Sequence, residues 1–257
     1  MNKPRKTIIL LILAALMIAG GLFAQEVMRI TRKDRTTIDI PTSEIDKITF
    51  HGGAPQVQDD QLKDADGNVY KTVRIGNQVW MAENLRTTKF ADGSPIPVVR
   101  DNNTWKNTTD PAMCWYKHDQ ANYGTIYGAF YNWEVVNSGK IAPPGWRVPT
   151  QEDIDELFEH LKNTYQTDIG YKLMTAQKGH WVNNRGSNET GFTGMPGYRK
   201  SDGAFYAGGG TSGNIWSSTI NFNNASRARC LNLNYGGKAT LGNGDRTEGQ
   251  YIRFIKE

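Results

Sequence analysis

The segment after Pro149 is the most constrained in the chain. Thr150 opens a run in which Ile154, Leu157, Phe158 and Leu161 recur at i, i+3, i+4 and i+7. That spacing lines four apolar side chains along one helical face. Thr150, with Asp153 three residues on, is a variant of the capping box that starts helices. Asp155, Glu156, Glu159 and Lys162 fall on the opposite, solvated face, so this carboxylate group reads as surface and not as an acid–base site. A second helix is expected over residues 125–137. There Ile126, Phe130, Trp133 and Asn137 share a face, Tyr127 and Tyr131 lie alongside, and Gly139 is a natural stop.

The flanks of these helices read as strands. Val69 to Ile75 and Gln78 to Met81 are joined by Gly76-Asn77, a hairpin signal. Three late segments are also strand-like: Ile215–Ser218, Ala228–Leu233 and Tyr251–Ile255. From Gly170 onward no helical period is convincing. Strand-rich ends around a helical middle argue for an α+β domain whose terminal strands pair. The Asp64-Ala65-Asp66-Gly67-Asn68 run resembles part of a calcium loop, but strands flank it and a terminal Glu is missing, so a β-turn is expected.

The N-terminus has another character. Lys3, Arg5 and Lys6 precede an apolar run from Ile8 to Leu22, and Phe23-Ala24-Gln25 closes it. This is the layout of a signal peptide, with cleavage expected after Ala24 and an exported destination: periplasm, outer surface or medium. The run is short for a membrane anchor, which needs roughly 20 apolar residues. No second apolar run follows, so no membrane span is expected after cleavage. Three of the net +4 charges leave with the leader, which weakens any argument for nucleic acid as a partner. Residues 25–51 form a short β segment, with Val27–Ile30 and Thr37–Ile40 alternating and Ile45–Phe50 adding a third piece. A hairpin this small is marginal alone and must dock on something. Residues 52–61, starting in Gly-Gly-Ala-Pro, read as a linker, and the main domain spans 62–257.

Enzymatic readings find little support. His51, His118, His160 and His180 are isolated, neither Cys114 nor Cys230 has a partner at metal-ligand spacing, and no nucleophile elbow or phosphate loop occurs. No cofactor or metal is expected. Gly208-Gly209-Gly210 reads as a flexible loop. In an oxidising compartment Cys114 and Cys230 either close a disulfide or stay as two buried thiols. The segment from Gly213 to Arg246 collects Trp216, Asn221, Asn223, Asn224, Arg227, Arg229, Asn232, Asn234, Tyr235 and Asn243. Asn donates and accepts, and Tyr offers rigid contact area, so the group suits a ligand-binding face. Asn also supplies turns, and that reading stands beside the first.

Several blocks resemble the Fibrobacter succinogenes major paralogous (FISUMP) domain family. They are Asp66–Val73, Ile75–Arg86, Cys114-Trp115-Tyr116, Tyr127–Trp133, Pro144–Thr150, Asn188–Phe192, Trp216–Thr219 and Ile252-Arg253. The resemblance covers residues 62–257. It implies a fold similar to C-type-lectin-like domains: two helices, twisted antiparallel sheets and long loops. Residues 26–50 look like a segment that often precedes domains in such secreted proteins. Relatives often carry Arg-Cys in the last strand, where this chain has Arg253-Phe254, with Cys230 after Arg229 instead. If those two segments paired, Cys230 would still reach Cys114. The loop motifs of calcium-dependent sugar-binding lectins are missing. So is the second C-terminal cysteine of the formylglycine-generating enzymes, which share the scaffold. The expected function is an exported, non-catalytic module that binds an extracellular protein or glycan. A surface-assembly component docking through residues 26–50 is the alternative. Another is a variable ligand-binding protein of a diversity-generating retroelement, suggested by the density of Asn.

Overall fold

The computed structural model describes residues 27–31, 36–44, 62–206 and 210–257. The leader, the third β piece at 45–50 and the linker fall outside the described residues. The chain divides into two units, Met1–Phe50 and His51–Glu257.

In the first unit β1 (Val27–Thr31) and β2 (Thr37–Pro41) pair antiparallel, as their alternation predicts. Met28 faces Ile40 and Ile30 faces Ile38, so one side of the ribbon is apolar, and Ile30 and Ile38 are exposed. On the other side Arg29 clasps Asp39 with two bonds of 2.7 Å. Both groups are open to solvent, which screens the pair.

The second unit begins with β3 (Leu62–Lys63) and β4 (Val69–Tyr70), joined by the Asp64–Asn68 turn. The Asp64 carboxylate caps that turn, accepting from the amides of Asp66 and Asn68 at 2.9 Å each. Asp66 accepts from both the amide and the hydroxyl of Thr88 and pairs with Lys89. Both carboxylates are therefore committed to protein donors. Next come β5 (Thr72–Ile75) and β6 (Gln78–Met81), the expected hairpin, with Gly76 at φ 60°. The C-terminal β13 (Ile255–Lys256) lies between β6 and β9 (Trp146–Arg147), giving the sheet order β5-β6-β13-β9. The two ends of the domain meet, as the sequence predicts. Of the expected Tyr251–Ile255 strand only Ile255 joins this ladder, followed by Lys256, although the Ile252 and Phe254 carbonyls accept from Leu85 and Met81.

Helix α4 (Gln151–Tyr165) has the expected reciprocal capping box, and its Ile154, Leu157, Phe158 and Leu161 are buried. It packs on a second sheet of β10 (Ser212–Ile220), β11 (Arg227–Asn234) and β12 (Lys238–Asp245). Strand β12 escaped the sequence reading because Gly242 and Gly244 break its pattern. Three short helices also carry too few residues to show a period: α1 (Asn102–Asn107), α3 (Trp133–Asn137) and α5 (Ile169–Leu173).

The helix expected over 125–137 is not continuous. Its residues divide among α2 (Gln120–Tyr127), β8 (Ala129–Tyr131) and α3, and β8 pairs with β7 (Met113–Trp115). The break is Gly128 at φ 79°, where a Cβ would lie 2.7 Å from that of Asn84. The Tyr127 carbonyl accepts from Asn84 Nδ2, which draws the chain out of helical geometry. Phe130 is buried but from a strand, and Ile126 is exposed.

Long loops are held by two fully buried arginines. Arg199 donates to the carbonyls of Gly203, Val99 and Arg100, and its guanidinium stacks on Trp105. Arg253 donates to Asn84 and to the carbonyls of Met81, Phe192 and Thr193. Irregular segments have unpaired carbonyls, and one guanidinium supplies five donors to satisfy them.

Candidate functional site

The ten residues expected at a binding face do not form one site. Across β11 and β12, Arg227 faces Asp245 and Arg229 faces Asn243. Period-2 alternation puts these four on the same side as Leu231, Leu233, Ala239 and Leu241. The leucines belong to the core that contains the α4 stripe, so the helix covers that half of the sheet. The half bearing Arg227, Arg229, Asn243 and Asp245 is only partly buried.

This polar half is internally braced. Asn243 Oδ1 accepts from Asn221 Nδ2 at 2.9 Å and from Arg229 Nη1 at 3.1 Å. Arg227 donates to the Asn243 carbonyl at 2.9 Å, and its Nε lies 3.0 Å from Asp245 Oδ1. Arg229 Nε is shielded and has no acceptor. The β10–β11 turn adds Asn221, Phe222, Asn223 and Asn224 beside this group. Phe222 is 84 % exposed, the most open large apolar side chain among the described residues. The sequence reading missed it, since a single Phe among asparagines carries no periodic signal. Asp245 was missed because β12 was.

The remaining candidates lie elsewhere. Asn234 and Tyr235 sit at the β11–β12 turn, seven residues from Arg227 along the strand and so roughly 23 Å away. Asn232 points to the other side of the sheet, where its Nδ2 donates to Asn214. Trp216 is corrected: it is fully buried, and its Nε1 donates to the Tyr131 carbonyl at 2.8 Å, so it supports the sheet from within. Three asparagines serve as turn formers. Asn221, Asn224 and Asn234 each accept, through Oδ1, from the amide two residues on. The turn reading of Asn therefore holds at these three positions.

Of the two readings left open for the cysteines, the disulfide is not formed and the buried thiols are found. Cys114 and Cys230 are separate buried thiols. Its premise fails because β11 pairs with β10 and β12, whereas Tyr251 bridges to Ile215 on β10, one strand away. Burial pushes both thiols up to about 12, leaving them protonated at neutral pH. Of the histidines, His180 shares a 3.0 Å hydrogen bond with Tyr127, while His118 Nδ1 is shielded without a partner. Burial, then the charges of Arg199 and Arg100, lowers the His118 pKa, so its ring stays neutral.

A cleft of about 740 Å³ opens beside β9, walled by Ile141, Pro144, Trp146 and Val148 and fringed by Lys140 and Glu257. Of its other charged groups, Asp92 pairs with Lys140 and Arg147 is turned toward Asp153. The apolar wall falls within residues 141–148, where no period marks it, and Ala91, Ser218 and Glu257 join it from distant segments.

A family model described as the Fibrobacter succinogenes major domain matches residues 73–256. No curated protein matches the chain. No solved structure matches it.

Proposed function

Because the chain belongs to the Fibrobacter succinogenes major domain family, we propose that its second unit is an exported, non-catalytic binding module, similar to C-type-lectin-like domains, that recognises a protein or glycan outside the cell. The observation that carries this reading is Phe222. An aromatic ring 84 % exposed, on a turn between two paired strands and beside Arg227 and Arg229, has the composition of an interface anchor. A rigid hairpin lowers the entropic cost of presenting it. The polar groups around it are held by one another, so they offer an ordered pattern of donors and acceptors and not a flexible charge cloud. The basic, then apolar, N-terminus supports export.

The test is a binding screen of the full chain against host surface proteins and glycans, repeated with Phe222→Ala and Arg229→Ala. Loss of a central aromatic or Arg anchor costs about tenfold or more in affinity. A ligand held equally well by both variants would place the binding surface elsewhere, and no ligand at all would remove the reading.

One observation favours a second role. The β1–β2 ribbon keeps an apolar side with Ile30 and Ile38 exposed, which suits strand or helix docking by a partner. We infer that residues 26–50 attach the module to a surface assembly. Deleting them should abolish assembly and leave ligand binding intact; unchanged assembly would refute this.

A further inference from the structure

We propose that the cleft beside β9 takes an extended peptide with an apolar–basic–apolar centre, added as one more strand along the outer edge of β9. Its volume of about 740 Å³ falls within the range of roughly 300–1,000 Å³ usual for ligand sites. The site goes beyond the Phe222 face and uses none of that face's residues.

The free edge follows from the register. β9 ends its sheet, Ile255 pairs with Arg147, and the Glu257 amide donates to the Gly145 carbonyl at 3.0 Å. Hydrogen-bonded pairs recur at every second residue of an antiparallel ladder. The backbone groups of Gly145 and Arg147 therefore face β13, and those of Trp146 and Val148 face away from it. Of these outward groups, the Trp146 amide already donates to the Pro143 carbonyl at 3.1 Å. The Val148 carbonyl accepts weakly from the Ser218 hydroxyl at 3.5 Å. The Trp146 carbonyl and the Val148 amide have no protein partner among the described residues. Both residues line the cleft and are otherwise nearly buried, at 9 % and 7 % exposed. Backbone groups in such a place are rarely left unmet.

These two groups select both the occupant and its direction. A carbonyl on one residue and an amide two residues on are what a parallel neighbour uses. One residue of that neighbour donates its N–H to the first and accepts, through its C=O, from the second. An antiparallel neighbour needs both groups of a single residue. Trp146 has already given up its amide, and Val148 shares its carbonyl with Ser218. Pro144 and Pro149 flank the edge and have no amide, so pairing stops after one residue. A short extended peptide fits such an edge, by the strand addition that many peptide-binding domains use.

Alternation and charge fix the side chains. The bonded residue of the peptide lies level with Arg147, and its two neighbours lie level with Trp146 and Val148. Ile141 and Pro144 complete the wall on the Trp146 side, so the two neighbours are apolar. On the Arg147 side the charges do not balance. The bond to Asp153, against burial and with a smaller share from the charge of Glu257, raises the Arg147 pKa. Two carboxylates thus surround one guanidinium, and Asp153 takes both of its bonds. Lys140 is paired with Asp92. Glu257, exposed at the rim, is left as the uncompensated charge among the described residues. The central peptide residue is therefore lysine or arginine, whose length carries a positive charge toward Glu257.

The test titrates capped peptides of the form Gly-Ser-X-Lys-X-Ser-Gly, with valine, leucine, isoleucine or phenylalanine at each X, into the full chain. Calorimetry and amide hydrogen exchange follow the binding. At least one peptide should bind, and the Val148 amide should exchange about tenfold more slowly in the complex. Methylating the lysine amide nitrogen of that peptide removes its bond to Trp146 and should weaken binding about tenfold. Exchanging its lysine for glutamate should weaken binding several-fold, and Glu257→Lys should return part of that loss. Phe222→Ala should change nothing. The proposal fails if no peptide binds, if the methylated peptide binds as well as its parent, or if Val148 exchange is unaltered. It fails equally if the charge exchange has no effect or if Phe222→Ala abolishes binding. A concentration-dependent dimer that protects the Val148 amide would give the edge to a second copy of the chain and overturn the peptide reading. None of these failures touches the Phe222 face, whose own ligand is read from Phe222→Ala.

Discussion

Replacing Asp153 with alanine removes three contributions at once. Its carboxylate accepts from the Thr150 amide at 2.6 Å, completing the capping box of α4. It also holds Arg147 through a two-pronged pair, with Nη2 at 2.8 Å. Third, it places negative charge in the first turn of the helix. The capping half is worth about 1 kcal/mol and the helix-terminus charge about 0.5 kcal/mol. Arg147 is about two-fifths exposed, so the ion pair is screened and counts for about 1 kcal/mol at most. The total is about 2.5 kcal/mol, or roughly 5–10 °C in Tm for a domain of this size. The pH dependence gives a sharper test. Burial alone would raise the Asp153 pKa, but the Arg147 guanidinium and the Thr150 amide outweigh it and leave it lowered. A depressed folded pKa stabilises above the unfolded value of about 3.9, and this stabilisation is lost as pH falls through the folded pKa. Urea unfolding of wild type and Asp153→Ala at pH 7, and at steps below pH 4, should show the difference shrinking toward the acid end. A difference below about 0.5 kcal/mol at pH 7, or one independent of pH, would refute the reasoning.

Gly128→Ala should destabilise by about 3 kcal/mol, since it combines a left-handed φ with a 2.7 Å approach to Asn84; thermal unfolding reads this directly, and a near-neutral variant would mean that the α2–β8 break has another cause. Thiol titration with a disulfide reagent should find no reactive cysteine in the folded chain and two after denaturation without reductant. Arg253→Met should cost about 3 kcal/mol or more, because it strands the carbonyls of Met81, Phe192 and Thr193 in the core; chemical denaturation checks it.

What could be read from the sequence was what local rules decide. Thr150, Asp153 and the four-residue stripe of α4 lie within three turns of one another, so cap and period sufficed. The Gly76-Asn77 hairpin was legible for the same reason. The segment at 125–137 misled because its helical spacing is real through Tyr127, and the element that ends it is Asn84, over forty residues earlier. At the candidate site the reading found Arg227, Arg229 and Asn243 through composition. Composition has no direction, however, so it could not send Asn232 to the other side of the sheet, sink Trp216, or single out Phe222.

The arginine ties have a consequence for how such a chain can change over generations. Arg199 and Arg253 fasten the loops almost wholly through main-chain carbonyls, which every residue type possesses. Apart from Asn84 and Asn102, whose side chains also accept from the two arginines, and Asn188, which holds Thr193, the loop side chains carry little of the anchoring. A lineage could rewrite the tethered segments almost letter by letter and keep the same scaffold, provided two guanidinium groups stay where they are.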